Sequence, residues 1–299
     1  MNFEDFELEK VINNDSRSKH LALHLKTADS KDAVVLLNKL PFNPADSVEK
    51  LTSGLEAIDT NDIYHRFINN KKGVECKVIF PATSAHIKKY SEQSRRIIRE
   101  TAEMHKSITR PYFQKLREAG QTSWIDNIIR DESELERRII DKKCSETGYI
   151  ILPDYKWTDE TNLTGLYLLV IPRRNDLWSV RDLTSEHLKI LKDIRKDLME
   201  EIFSETKHKY KYSDGSPVLY DHLRVYFHYP PTYPHLHIHV TLASSQNSCS
   251  AGQAILLDEI IDNLELVSSD YYKNIRTLSM EFGDQHELYH KLKSHQQQQ

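Results

Sequence analysis

Pro234-His235-Leu236-His237-Ile238-His239-Val240-Thr241-Leu242 is the stretch whose reading decides the architecture around it. Side chains alternate faces along a strand. A strand here therefore places His235, His237 and His239 on one face at intervals of roughly 7 Å, with Leu236, Ile238, Val240 and Leu242 on the other. The alternation predicts a strand over 235–242 with an imidazole face and a core face. A second strand, 223–228, precedes it. Residues 149–152 and 166–171, closed by Pro153 and Pro172, read as neighbours in one sheet. Thr184-Ser185-Glu186 opens a helix whose Leu188, Leu191, Ile194, Leu198 and Ile202 recur every three or four positions, giving it an apolar face for that sheet.

Toward the amino terminus, short β-like runs at 21–25, 33–37 and 76–80 are joined by polar connections, which predicts a small α+β domain. From about Ser84 the pattern turns helical. Residues 91–107 read as one helix and a second restarts near Pro111, because a proline lacks the N–H that a continuous helix needs. A further helix is expected over 124–140, a turn at Ser213-Asp214-Gly215-Ser216-Pro217, a helix over 253–264, and a disordered tail from Gln296 to Gln299. The fold class is α+β, with an amino-terminal domain (1–83), a hinge (84–95) and a carboxy-terminal domain (96–299) built on an antiparallel sheet.

The 299 residues suffice for two domains of ordinary size, and 38% apolar content supplies their cores. A net charge of −4 argues against sequence-blind binding of long nucleic acid, which rests on many Lys and Arg contacts to phosphate. No run approaches the ~18 consecutive apolar residues of a membrane span, and the acidic start Met1-Asn2-Phe3-Glu4-Asp5 is unlike a secretory signal. A protein of the cytoplasm or nucleus is expected. Cys76, Cys144 and Cys249 are too scattered for a disulfide framework or a metal knuckle and read as free thiols.

Three imidazoles in alternation suit two chemistries. A metal site is one, since neutral imidazole is a common zinc ligand. However, an extended row spans ~14 Å, too far for three rings to reach one ion at ~2.1 Å, and no HxxE or cysteine pair completes a shell. The other is nucleophilic catalysis at phosphorus. A neutral imidazole attacks well when one nitrogen is free and the other is tied to a carbonyl, while protonated neighbours neutralise phosphate oxygens and the leaving group. His237, the middle member, is the expected nucleophile. No metal or other cofactor is called for.

Immediately upstream runs Asp221-His222-Leu223-Arg224-Val225-Tyr226-Phe227-His228-Tyr229-Pro230-Pro231-Thr232-Tyr233. From Asp221 to Leu242 the chain closely resembles the histidine-triad signature of the scavenger mRNA decapping enzymes (DcpS), including His228 seven residues before the first triad histidine. Asp32-Ala33-Val34-Val35-Leu36-Leu37, Asn61-Asp62-Ile63-Tyr64, Pro81-Ala82-Thr83, Ile98-Arg99-Glu100-Thr101, Pro153-Asp154-Tyr155-Lys156-Trp157 and Val180-Arg181-Asp182-Leu183-Thr184 also look like that family, in the same order.

The resemblance implies hydrolysis of the triphosphate bridge of 7-methylguanosine caps, on cap dinucleotides and short capped RNA, through a covalent phospho-histidine. It implies His237 as nucleophile, with His239 and His228 on the phosphate oxygens and His235 in support. Trp124 becomes the platform for the methylated base, a cation–π contact worth about 0.5–2 kcal/mol. Glu134 accepts from the guanine Watson–Crick edge, Asp154 holds the nucleoside, Lys156 holds the phosphates, and Tyr155 and Thr232 join the substrate-binding set. Asn61 and Tyr64 of the first domain close over the cap, and Lys89 reaches the phosphates from the hinge. Taken alone, Trp124 reads as a core aromatic, Glu134 as a solvated helix charge, Asn61-Asp62 as a turn and Lys88-Lys89 as an exposed pair.

The family implies a homodimer whose first domains exchange segments and act as lids. A catalytically weak cap-binding regulator, paired with an active paralogue, is the alternative, and the intact His228, His235, His237 and His239 argue against it. Pro234 stands where relatives often carry an aromatic, Thr232 where serine is common, and Gln253 where Lys or Arg is expected near the phosphates.

Overall fold

The computed structural model describes residues 6–15, 20–29, 32–39, 45–61, 64–71, 73–81, 94–157, 160–207, 209–245 and 252–297. The chain is α+β and divides into two units, Met1–Gln93 and Ser94–Gln299. In the first unit, β1 (Phe6–Asp15), β2 (His20–Thr27) and β3 (Asp32–Asn38) form one three-stranded sheet, and β4 (Glu56–Asn61), β5 (Tyr64–Asn69) and β6 (Val74–Ile79) form another. Every pairing is antiparallel. A short helix, Val48–Thr52, is capped by the Ser47 side chain accepting from the Lys50 N–H at 3.2 Å. The expected hinge lies almost wholly outside the described residues, as does Cys249; Cys76 and Cys144 are free thiols.

The second unit opens with β7 (Arg95–Glu100), where the sequence reading expects helix. Its partner is the distant β14 (Leu278–Gly283), and Ile98 opposite Met280 buries both residues. Thr101 then caps a helix, accepting from the Met104 N–H at 3.2 Å. Three consecutive segments, Ala102–Met104, the π-turn His105–Thr109 and Arg110–Glu118, run on without a break. Pro111 does not split them. The π-turn pairs the Arg110 N–H with the His105 carbonyl, which places the proline where a fresh α-segment begins and its missing N–H leaves no gap. The next helix, Ser123–Ile129, ends well short of residue 140, because Asp131 and Glu134 adopt positive φ of 63° and 58°, which no helix accommodates.

The main sheet has six strands in the order β13-β11-β12-β10-β9-β8. These are β8 (Ile140–Lys142), β9 (Tyr149–Pro153), β10 (Tyr167–Pro172), β11 (Leu223–His228), β12 (Ile238–Leu242) and β13 (Ala254–Leu256), antiparallel throughout. Leu168, Val170, Ile238 and Val240 are fully buried on the core face, each burial worth about 1.5–3 kcal/mol. The helix Leu188–Asp197 and the π-turn Leu198–Ile202 that continues it bury Leu191, Ile194, Leu198 and Ile202 in the same core. Tyr149 of β9 donates its hydroxyl to Asp197 at 2.6 Å. Two boundaries differ from expectation at the carboxy-terminal end. Residues 254–256 are strand before the helix Leu257–Asp262, and the last helix, Glu287–Gln296, carries the chain through the first glutamine of the tail, whose side chain donates to the Arg99 carbonyl at 2.8 Å.

Candidate active site

β12 begins at Ile238, three residues later than the alternation suggests. Pro234 has no N–H to give a neighbouring strand, its carbonyl accepts from Arg117 Nη1 at 2.8 Å, and the Leu236 N–H turns to the Leu177 carbonyl at 2.8 Å. The approach to the strand is therefore bent, and the three imidazoles do not share one surface. His235 is wholly buried and donates from Nε2 to the Pro172 carbonyl at 2.9 Å. His237 and His239 face a cavity of about 160 Å³, also lined by His228, Trp124, Asp154, Tyr155, Lys156, Thr232 and Tyr233.

Register explains how His228 arrives there. Tyr226 pairs with His239 across β11 and β12, so His228, two residues on, occupies the same face beside it. The ring centroids of His228 and His239 are 4.4 Å apart, and those of His237 and His239 are 4.9 Å apart with the planes at 80°. Tyr226 stacks beneath His239 at 5.3 Å.

The rings of His237 and His239 are oriented by different partners. His237 Nδ1 lies 2.7 Å from the His235 carbonyl oxygen, and since a carbonyl only accepts, Nδ1 carries the proton and Nε2 is bare. His239 Nδ1 sits 2.9 Å from the Tyr167 hydroxyl, and with the phenol as donor the proton of His239 lies on Nε2, a buried atom with no partner among the described residues. Asp154 is held at the end of β9 by the Tyr167 carbonyl at 2.8 Å, and its carboxylate accepts from the Lys156 N–H at 2.8 Å. That turn brings Lys156 Nζ to 5.5 Å from the Tyr167 ring.

Burial depresses all four imidazole pKa values. His228 and His235 fall to about 4, the former pushed further by His237 and Lys156. His239 is lowered by burial, then by His237 and His228. His237 is lowered by burial most of all; the His235 carbonyl and Asp154 pull it back up, and Lys156 pushes it down. The unliganded rings are thus neutral near pH 7, and Lys156 supplies the positive charge. Protonated neighbours, expected from sequence, require an anionic ligand to raise them.

The other expected residues fall as follows. Trp124 is 39% exposed and meets Tyr233 edge-on at 5.3 Å; Tyr155 is 70% exposed. Glu134 does not line the cavity. It pairs with Arg137 Nη1 at 2.8 Å, and Arg137 Nη2 reaches the Pro153 carbonyl beside Asp154 at 3.3 Å. Asn61 and Tyr64 lie in β4 and β5 with side chains outside the described residues, and Lys89 is outside them altogether. Gln253 does not line this cavity either; its Nε2 donates to the Glu281 carbonyl at 3.3 Å. Sequence reasoning missed Tyr167, whose signal was its place two residues before Leu169, on the same strand face. Among the described residues, no group of three or more His, Cys, Asp or Glu side chains is arranged to hold a metal ion, and no helix is long and apolar enough to cross a membrane.

Comparison with known proteins identifies the family. Residues 1–93 match the family model for the scavenger mRNA decapping enzyme (DcpS) N-terminal region, and residues 123–254 match the one described as scavenger mRNA decapping enzyme C-term binding. The m7GpppX diphosphatase of Homo sapiens is 35% identical over 295 residues, covering 94% of this chain and 84% of its own. That of Schizosaccharomyces pombe is 30% identical, covering 96% and 94%, and that of Ascaris suum is 33% identical, covering 95% and 93%. The chain belongs to the scavenger mRNA decapping enzyme family.

Proposed function

We propose that the protein hydrolyses the 5′–5′ triphosphate bridge of 7-methylguanosine caps, on cap dinucleotides and short capped RNA fragments. The observation that carries the reading is the bare Nε2 of His237, facing a cavity that also holds Lys156 and two exposed aromatics, Trp124 and Tyr155. The name of these relatives, m7GpppX diphosphatase, supports it.

In the proposed reaction Nε2 attacks the phosphorus nearest 7-methylguanosine, forming an N–P bond as the bridging P–O bond breaks. The bond's electron pair leaves on the oxygen of the departing nucleoside diphosphate or diphosphate-ended oligonucleotide. Lys156 and the Nε2–H of His239 stabilise the phosphate oxygens, and His228 manages protons. Water then attacks the adduct, forming a P–O bond as the N–P bond breaks; the electron pair of that bond returns to Nε2 of His237, and 7-methyl-GMP leaves with loss of a proton from the water. Neutral imidazole supplies the nucleophile, so the steps are balanced without a metal ion. Trp124 stacks on the cationic base, Tyr155, Asp154 and Thr232 complete the pocket, and Glu134 serves the Watson–Crick edge once Arg137 yields it.

The working form is a homodimer in the cytoplasm, with a nuclear share. Its first domain, 1–83, is exchanged between subunits and closes as a lid about the hinge 84–95, with Asn61, Tyr64 and Lys89 over the cap. Exposed Leu8, Val11, Val34 and Leu36 on the first sheet support a protein partner for that domain. Incubating the pure protein with the cap dinucleotide m7GpppG in EDTA tests the reading. Release of 7-methyl-GMP is expected. Binding without product marks a regulator that pairs with an active paralogue, and product only with added zinc marks a metal enzyme.

A further inference from the structure

Two successive peptide groups lead into the triad, and both are held by elements outside β12. The first, between Pro234 and His235, has its carbonyl oxygen 2.8 Å from Arg117 Nη1, and its N–H donates to the Tyr233 carbonyl at 2.8 Å. The second, between His235 and Leu236, donates its N–H to the Leu177 carbonyl at 2.8 Å, and its own carbonyl is the one that accepts from His237 Nδ1. The Arg117 and Leu177 anchors belong to one assembly. The Arg117 guanidinium lies 5.0 Å from the ring of Trp178, the residue after Leu177, and Arg110 packs on the same ring at 3.4 Å. Asp182 completes the assembly, accepting from Arg110 Nη1 and from the Trp178 and Ser179 N–H groups at 2.7 and 3.0 Å. Arg117 does not line the catalytic cavity, so any part it has in the reaction passes through the backbone it holds.

We propose that Arg117 is a positioning residue for the nucleophile: its bond to the Pro234 carbonyl fixes the entry to β12, so that the His235 carbonyl meets Nδ1 of His237 and leaves Nε2 bare toward the phosphorus. The inference rests on the cap-hydrolysis reading, which makes His237 the attacking group, and adds what keeps that group in line. Pro234 has no N–H to give a neighbouring strand, so its carbonyl is the polar group by which it is anchored, and the donor has to come from another element. Arginine suits the place. Its long side chain reaches across from the helix Arg110–Glu118, and its planar group donates to the carbonyl while packing on the Trp178 ring. Without that donor the Pro234-His235 peptide is free to rotate, the His235 carbonyl swings away from Nδ1, and the His237 ring takes either tautomer. An attacking atom misplaced by about 1 Å costs up to about a hundredfold in rate.

The test compares full-length parent protein with Arg117→Met and Arg117→Lys in single-turnover cleavage of m7GpppG, protein in excess. Arg117→Met is expected to slow cleavage by about 10- to 100-fold while the half-saturating protein concentration stays within about twofold, because the cavity lining is untouched. Arg117→Lys, which keeps one donor for the one bond, is expected to restore the rate to within about threefold of the parent. Arg117 is only half-buried, and its loss strands no buried charge; where Arg117→Met nonetheless fails to fold, Arg117→Gln, too short to reach the carbonyl, takes its place with the same expectation. Imidazole ¹⁵N NMR of the unliganded protein, with the His237 signals assigned by their absence from His237→Asn, supplies a readout that a merely structural role does not move. The parent is expected to show one tautomer, protonated on Nδ1, and Arg117→Met a mixture of the two. An unchanged rate in Arg117→Met, a slower rate with the parent's single tautomer intact, or a lysine variant no better than the methionine one overturns the inference while leaving cap hydrolysis standing. Absence of product from m7GpppG in the parent protein overturns the cap-hydrolysis reading, and this inference about attack on the cap with it.

Discussion

The carbonyl oxygen of His235 lies 2.7 Å from Nδ1 of His237 and fixes which nitrogen of that ring is bare. His235 itself is immobilised by its own bond to the Pro172 carbonyl, so the fully buried histidine orients the half-buried one through its backbone. Burial holds the His237 pKa below its ordinary 6.5, with Lys156 adding to the depression. A lowered pKa keeps the attacking ring neutral at lower pH. The acid limb of kcat/KM against pH is therefore expected below 6.5, and Lys156→Met is expected to move it upward. A midpoint above 6.5 in the parent protein contradicts the assignment.

Tyr167 ties the tautomer of His239 to the sheet. Replacing it by phenylalanine leaves a buried imidazole nitrogen unpaired, at a cost of about 1–3 kcal/mol. Tyr167→Phe is expected to lower kcat by about tenfold with little change in KM, and to reduce stability in urea by an amount in that range. Unchanged kcat shows that His239 needs no such anchor.

Trp124 is 39% exposed where it lines the cavity, and it meets Tyr233 edge to face at 5.3 Å. Trp124→Ala is expected to raise KM for a methylated cap by about 2- to 30-fold, the range of one cation–π contact, and to reduce discrimination against the unmethylated cap. Steady-state kinetics on the two substrates check this. Equal kinetics on both in the parent protein count against the stacking role.

Beneath the site, Glu100 and Arg181 form a fully buried pair, Arg181 Nη2 standing 3.0 Å from the carboxylate. Burial alone would raise the Glu100 pKa, but His105 and Arg181 outweigh it and hold the group ionised. Tyr229, next to His228, donates its hydroxyl to the same carboxylate. Glu100→Gln strands the guanidinium and is expected to cost about 3–5 kcal/mol in denaturant melts. A loss below about 1 kcal/mol shows that the arginine finds other partners.

Where local pattern and tertiary structure coincide, the sequence is a good guide. β9, β10 and β11 carry apolar runs bounded by turns, and the helix from Leu188 has a regular apolar face. Arg95–Glu100 was legible only with knowledge of its partner β14, since nothing local distinguishes its Ile97-Ile98 from a helical pair. The triad shows the limit of periodicity. Alternation places His237 and His239 correctly, but the bend at Pro234 sends His235 into the core, and only the bond to Pro172 reveals its supporting part. The place of Tyr167 beside His239 depends on register, which no single motif records.

Rapid alkaline quenching of the protein during turnover of m7GpppG, followed by intact-mass and peptide mass spectrometry, tests the central claim most directly. A 7-methyl-GMP adduct on the His237 ring, absent from His237→Asn, is the predicted result. Sustained turnover with no adduct, or an adduct on His228 or His239 instead, contradicts it.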